Sequence, residues 1–533
     1  MSVVPERPIR SLPLVDGHAR SPRLVKVLDQ SKCIGCHACT TACKSEHEVP
    51  VGVTRTYVKA VDVGEFPQVR RSFQVTRCNQ CEDAPCVTAC PTSAMFTRDD
   101  GIVDFDKQAC IGCRACMAAC PYDAIFINPD DHAAEKCNFC AHRIDMGLEP
   151  ACVVVCPVEA ILVGDVNDPT SKVAHEIGRG PTAVRRPEKD TRPAVHYKGA
   201  SQATLDPLAA RRPEVDIFAW AQQHPDRDPH RINAGVPIDP VDQRDGTGTP
   251  ATSSAAALLS YDIGHDVPWD WRVGLYTWTK SIAAGVYLVA AALVLLGRLD
   301  AGGALWSRGV PLVAATFLAL TGAILIWDLE HPARFYYIFT RPQWRSWLVR
   351  GGVIIAAFGA VLAVHVALGL VGATGAQAGL TALGVPAALL TAVYTAFLFA
   401  QARGRDLWQS PLLPPHFAVQ AVLAGTAVLL PLTAWLEPDV TPTVALVLAG
   451  GAVVHLLLVA GELTLTHPTA HVRLAIHHMT AGRHARLFRT GVVLVALAAA
   501  APWLGIIAAP LALAGLLAHE HVHVQAGQSV PLA

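Results

Sequence analysis

Charge is scarce in this chain. Acidic and basic residues make up 16% of its 533 positions, against roughly 25% in ordinary soluble domains. Nor is there a surplus of one sign: 43 Lys and Arg against 44 Asp and Glu leave a net charge of −1. That excludes the basic footprint of a nucleic-acid binder and the excess charge of a disordered tail. Cysteine is missing from everything after Cys156. Residues 1–20 lack the apolar run of a secretory leader, which argues against a disulfide-rich secreted fold for the sixteen cysteines that precede that point. Also lacking are a GxGxxG nucleotide turn and a nucleophile motif. What is abundant is apolar: 52% of the residues are hydrophobic, the composition of a chain embedded in a membrane.

The two excesses lie in different places. All sixteen cysteines fall between Cys33 and Cys156. Apolar runs long enough to cross a bilayer, about 20 residues each, begin only near residue 277. They cover 277–297, 309–327, 351–372, 379–401, 416–435 and 443–461. The last stretch, 491–518, is too long for one helix. A turn at Ala501-Pro502-Trp503 divides it into a helix starting near Leu487 and another running into HEHVHVQAGQ, with its histidines at the surface. The expected number is therefore eight helices, with seven as the alternative. Between the halves, RRPEVD, HPDRDPHR and DQRDGTGTPATSS have too few periodic apolar positions for a core and read as a linker. The expected organisation is a cysteine domain over 1–200, a Pro/Gly-rich linker over 201–266 and a membrane domain over 267–533.

With eight spans, Arg334, Arg341, Arg345, Arg350, Arg403, Arg405, Arg473, Arg483, Arg486 and Arg489 all fall in loops on the side of the cysteine domain. The positive-inside rule then puts that domain in the cytoplasm. The protein is expected in the bacterial inner membrane, multi-pass.

The cysteines form four groups: Cys33, Cys36, Cys39, Cys43; Cys78, Cys81, Cys86, Cys90; Cys110, Cys113, Cys116, Cys120; and Cys137, Cys140, Cys152, Cys156. CIGCHACTTAC at Cys33 repeats as CIGCRACMAAC at Cys110, and Pro91, Pro121 and Pro157 each follow a fourth cysteine. Three closely spaced thiolates wrap one cubane while the fourth, ahead of proline, reaches the neighbouring one. Four-cysteine zinc sites use two C-x2-C pairs and need no C-x3-C-P return. Sixteen thiolates at four per cluster make four [4Fe–4S] clusters.

Residues 20 to about 200 resemble the four-cluster iron–sulfur subunit of the dimethyl-sulfoxide-reductase family of molybdopterin enzymes. GDVNDPTSKV at Gly164 and RRPEKDTRPAVHYKG at Arg185 add to the cysteine groups. The resemblance implies that the groups pair first with fourth and second with third. Cys33, Cys36 and Cys39 then share a cluster with Cys156, and Cys137, Cys140 and Cys152 with Cys43. Likewise Cys78, Cys81 and Cys86 take Cys120, while Cys110, Cys113 and Cys116 take Cys90. From about Asp262 the chain resembles the NrfD/polysulfide-reductase-type membrane anchor, on WDWRVGLYTWTKSIAAG, LIWDLEHPARFYYIFTRPQWRSW and VQAGQSVPL. Such anchors are eight-helix proteins that exchange electrons with a quinone and bind no haem. The implied fold is α+β: a bacterial-ferredoxin-like double dicluster domain followed by an all-α eight-helix transmembrane bundle.

Ionisable groups inside a bilayer are costly and mark function by default. Asp328 and His331 are candidates to exchange protons with the quinone, beside Arg334, with Tyr336 and Trp344 walling a ring slot. Glu462 and Glu520 are further candidates, and Lys280 reads as a snorkelling side chain. His365 and His455 raise haem ligation as an alternative, without another histidine pair to support it. The expected function is an electron-transfer and membrane-anchor subunit of a quinone-linked oxidoreductase. It would pass electrons through the four clusters between a molybdopterin-type catalytic partner, or another soluble redox partner, and menaquinone or ubiquinone as exchangeable substrate. A self-sufficient ferredoxin:quinone oxidoreductase and a redox-driven proton translocator are the competing readings.

Overall fold

The structure, a computed structural model, describes residues 22–64, 67–211 and 257–533. Residues 1–21, where no apolar leader is expected, and 212–256, most of the expected linker, lie outside the described residues. The described chain divides into two units, one ending at Pro268 but including Val530–Ala533, the other Trp269–Ser529.

The first unit contains β1 (Leu24–Asp29), β2 (Thr56–Val63), β3 (Arg70–Arg77), β4 (Met95–Thr97), β5 (Val103–Phe105), β6 (Phe126–Ile127), β7 (Ala134–Glu135), β8 (Ile161–Asp165), β9 (Thr182–Ala183), β10 (Val195–Lys198) and β11 (Ala257–Tyr261). One sheet has the order β8–β1–β10–β9, with β1 parallel to β10 and antiparallel to β8. All six residues of β1 are buried, as a strand covered on both faces requires. A second sheet, β11–β2–β3, is antiparallel throughout. Residues 257–261 fall within the stretch expected to be a linker, yet they pair along β2. Their alternate residues Ala257 and Leu259 pack with Val61, which gives this short run a reason to be a strand. The hairpins β4–β5 and β6–β7 follow the second and third cysteine groups in the same way, so these two groups, which share the Cys-Pro ending, also share a local structure.

The second unit is helical: α1 (Trp271–Leu295), α2 (Val310–Trp327), α3 (Trp347–Leu370), α4 (Thr374–Ala400), α5 (Leu413–Leu436), α6 (Thr441–Thr464), α7 (Ala485–Ala498) and α8 (Ala508–Gln528). With their flanking turns, all except α7 make seven helices long and apolar enough to cross a membrane. Helix α7 has 14 residues, about 21 Å of rise against a hydrocarbon core of about 30 Å. Here the structure differs from eight equal spans. The turn at 501–503 is a short helix, Ala501–Leu504, closed by Gly505 at φ 56°. It lets α7 and α8 lie side by side.

Helix α1 is the axis of this unit, touching α2, α4, α5 and α8. It approaches α5 backbone to backbone: a Cβ on Gly285 would stand 1.7 Å from the Ala421 carbonyl oxygen. Gly425 faces the same contact. Small residues permit such approach where lipid supplies no hydrophobic drive between helices.

Candidate functional site

The cysteine loops are wound by left-handed residues. Gly35 and His37 in the first group, and Gly112 and Arg114 in the third, have φ between 58° and 71°. Gln80 in the second group, and Phe139 and Cys140 in the fourth, are also left-handed, at φ 48–58°. Glycine takes this conformation freely, and at Gly35 a side chain would also strike the Phe73 ring at 2.3 Å. Each loop then opens a short helix, at Ala38, Pro85, Ala115 and Ala141. Winding of this kind turns successive N–H groups and sulfurs inward. Backbone N–H groups of Gln80, Met95, Ala134 and Ala160 donate to the sulfurs of Cys78, Cys90, Cys110 and Cys156 at 3.3–3.5 Å.

Cysteines distant in sequence meet in four places. Cys90 lines one cavity of about 370 Å³ with Cys110, Cys113 and Cys116. Cys156 lines another, of about 320 Å³, with Cys33, Cys36 and Cys39. Cys120 lies within electrostatic reach of Cys81 and Cys86, and Cys43 within reach of Cys137, Cys140 and Cys152. Twelve of the sixteen are buried, Cys36 is exposed and three are half-buried. Four soft thiol donors around a cavity are the donor set that iron–sulfur clusters require, and the residues present fit that group.

Charge is uneven among these places. Burial pushes the thiols of Cys39 and Cys140 up to about 11. At Cys152 burial pushes the same way, but Lys26 and Arg77 together outweigh it and bring the thiol down to about 7. Both cations are wholly buried, with Arg77 Nη1 donating to the Cys152 sulfur at 3.2 Å. His47 Nε2 lies 3.1 Å from the Cys140 sulfur. Lys26 and Arg77 thus give the fourth group a cationic wall on one side.

In the helical unit the five polar residues singled out from sequence fall into separate settings. Asp328, just past α2, pairs with Arg272 at 3.2 Å. His331 and Arg334 follow it around a 3₁₀ turn at Pro332–Arg334, half-buried. Tyr336 and Trp344, the expected walls of the slot, are 48% and 58% exposed. Glu462 is bonded inside the bundle to His416, Oε1 to Nδ1 at 2.9 Å. Glu520 is buried and shares a pocket of about 260 Å³ with Phe399, Phe417, His416, His519 and His523. Lys280 does not snorkel. It is wholly buried, donates to the Ala392 carbonyl at 2.6 Å and faces the Phe417 ring at 4.7 Å. The buried ammonium is held by a carbonyl and a ring face instead.

The histidines at the end of α8 are also placed differently from the surface expectation: His519 and His523 are 2% and 5% exposed. They lie one turn apart in a stretch of α8 that is buried almost all round, and two histidines at i, i+4 at the end of an apolar run are the signal in the sequence that marks them. His416, inside an apolar run, is bonded to His455 at 3.0 Å as well as to Glu462. His365 belongs elsewhere, 3.2 Å from the Tyr287 hydroxyl.

Comparison with known proteins agrees with both units. Residues 261–531 match the family described as polysulphide reductase, NrfD, and residues 69–166 match a 4Fe-4S dicluster domain. A tetrathionate reductase subunit of Salmonella typhimurium is 42% identical over 204 residues, covering 36% of this chain and 80% of that protein. A polysulfide reductase component of Wolinella succinogenes is 43% identical over 170 residues, 31% of this chain and 89% of that one. Protein NrfC of Escherichia coli is 42% identical over 174 residues, 32% of this chain and 78% of that protein.

Proposed function

This protein belongs to the polysulphide reductase NrfD family, and on that premise we propose that its two units pass electrons between a catalytic partner of the molybdopterin class and a quinone in the membrane. It is an iron–sulfur electron-transfer subunit fused to its own membrane anchor. The observation that carries the reading is the presence, in one polypeptide, of an iron–sulfur unit akin to components of known reductases and an NrfD unit. Substrate chemistry belongs to the partner.

Sixteen cysteines in four converging sets favour four [4Fe–4S] clusters. Clusters bound there supply one-electron transfer at successive stations. Cys33, Cys36, Cys39 and Cys156 would hold one. Cys43, Cys137, Cys140 and Cys152 would hold a second. Cys78, Cys81, Cys86 and Cys120, then Cys90, Cys110, Cys113 and Cys116, would hold the others. The protein's own part is electrostatic: Lys26 and Arg77 favour added negative charge at the Cys152 set, and buried N–H groups do so at the others.

For the quinone, the pocket beside Glu520 is the better fit. Phe399 and Phe417 offer ring faces, while the Glu520 carboxyl and the His523 ring nitrogens offer proton-exchanging atoms. Asp328 already has a cation partner in Arg272. With His331 and Arg334 it forms the second candidate position. One structural fact favours eight crossings. The Trp269 N–H donates to Gln528 Oε1 at 3.1 Å, so the helical unit begins and ends at one end of its bundle. A return to the same end needs an even number of crossings, with short α7 as the eighth. The arginine-rich loops then favour a cytoplasmic iron–sulfur unit.

The test is anaerobic mixing of the purified full chain with a short-chain quinol, followed by EPR and visible absorption. Cluster reduction within the mixing experiment, together with a large catalytic subunit retained in gentle purification, supports the reading. Clusters that accept electrons from dithionite but never from quinol would overturn it.

A further inference from the structure

Three histidines from three different helices converge in the second unit. His416 on α5, His455 on α6 and His519 on α8 are 1%, 2% and 2% exposed. Their ring centroids are 4.9, 5.2 and 4.8 Å apart, taken pairwise. One ring nitrogen of each lies within 4.8 Å of the others. Glu462, His519 and His523 form a second such set, sharing His519. His416 and His519 also line the pocket beside Glu520, but the electron-transfer reading gives no role to His455, nor to the contact of its ring with those two.

The hydrogen bonding of the cluster is incomplete. Glu462 Oε1 fixes Nδ1 of His416 as the protonated nitrogen. That leaves His416 Nε2 as a lone pair facing His455 Nδ1 at 3.0 Å. Both ring nitrogens of His519 and both of His523 are buried without any hydrogen-bond partner. Among helices read as lying in hydrocarbon, unsatisfied polar atoms are rare and need an explanation. Those of His523 face the pocket beside Glu520; those of His519, against His416 and His455, point to a further ligand.

We propose that His416, His455 and His519 form a binding site for a divalent transition-metal cation of the zinc class, with Glu462 as the outer carboxylate. The chemistry is consistent on four counts. Neutral imidazole is the ligand such ions prefer among nitrogen and oxygen donors. A tetrahedral ion with bonds of about 2.0–2.1 Å spaces its donors at about 3.3 Å, so the 3.0 Å pair needs only a slight opening and His519 a turn of its ring. The Glu462–His416 bond is the carboxylate–histidine–metal arrangement that orients a ligand and offsets the ion's charge. Finally, Glu462 lies close to the end of α6, at Thr464, and its 10% exposed side chain gives an entry route. Rings this close leave no room for a porphyrin between them. The inference stands on these contacts alone and does not rest on the quinone reading.

The experiment uses the full chain in lipid nanodiscs, washed with chelator and then equilibrated with Zn(II). Zinc, iron and labile sulfide are counted after gel filtration, and the Zn K-edge absorption is measured. Expected are about one zinc per chain, a nitrogen/oxygen shell near about 2.0 Å and no sulfur shell at about 2.3 Å. His455→Ala should abolish zinc retention with iron unchanged. Glu462→Gln should weaken zinc binding about 10-fold, and it decides the matter if His455→Ala fails to assemble. A sulfur shell, zinc retained equally by wild type and both variants, or no zinc retained by the wild type would each overturn the proposal. In the last case the cluster serves proton exchange or holds water.

Discussion

His265 Nδ1 lies 2.7 Å from Asp123 Oδ2, joining the segment after β11 to the loop that follows the third cysteine group. Asp262 lies on the other side of the ring, 3.4 Å from Nε2, where the Tyr57 hydroxyl also approaches at 3.5 Å. Burial opposes the imidazolium, but the two carboxylates outweigh it and raise His265 to about 9. A group raised above its unfolded value stabilises fully below that value, near pH 6.5, and loses its contribution as pH climbs through about 9. The shift corresponds to roughly 3 kcal/mol. The thermal midpoint for loss of cluster absorbance should therefore fall between pH 6.5 and 9, and His265→Gln should flatten that fall. An unchanged slope in the variant would remove this pair as its cause.

Partners far apart in sequence should share a phenotype. Cys90→Ser and Cys110→Ser should each remove the same EPR signal, with iron falling from about 16 to about 12 per chain. Cys120→Ser should match Cys81→Ser instead. If Cys90→Ser resembles Cys81→Ser, the second and third groups do not exchange their last thiolate.

The cationic wall of the fourth group should set its potential. Removing a positive charge disfavours the more negative, reduced state. Arg77→Leu should therefore lower the midpoint of one cluster by at least about 60 mV, a tenfold change for a one-electron couple. Lys26→Met should move the same signal in the same direction if Arg77→Leu proves unstable. EPR-monitored redox titration reads both, and equal shifts in several clusters would contradict a local effect.

Glu520→Gln should leave iron and sulfide intact but slow quinol-driven cluster reduction at least tenfold, about 1.4 kcal/mol of barrier. The same assay on Asp328→Asn and His331→Ala separates the two candidate positions. Normal rates in Glu520→Gln with slow rates in the other two would move the quinone to the loop after α2.

Helix α7 decides the sidedness of the C-terminus. If it crosses the membrane, reporter fusions after Gly375 and after Ala533 must report opposite sides, with Ala533 cytoplasmic. Fusions reporting the same side would mean seven crossings and an α7 lying at the interface.

The two-part organisation was legible in the sequence because both signals are local. Three thiol donors within seven residues, repeated at Cys33 and Cys110, announce cluster chemistry wherever the chain later folds. A twenty-residue apolar run announces a helix in a bilayer without reference to its neighbours. Even α7 was visible in outline, since Pro502 and Gly505 break the last run.

Which polar side chains meet was another matter. Asp328 and Arg334 are close in sequence, yet Asp328 is held by Arg272 from the start of α1. His365 and His455 look equivalent as single histidines in apolar runs. One is bonded to Tyr287 and the other to His416. Their partners depend on how each helix is rotated about its axis. That rotation is set by close backbone contacts such as Gly285 against Ala421 and Gly425. Helices that are apolar on every face carry little amphipathic signal to fix it. Cysteine count, cluster class and membrane residence were therefore properties of the sequence alone. The convergence of His416, His455, His519, His523 and Glu462, and the burial of Lys280, were decided by tertiary packing, because only the packed bundle fixes which helix faces turn inward.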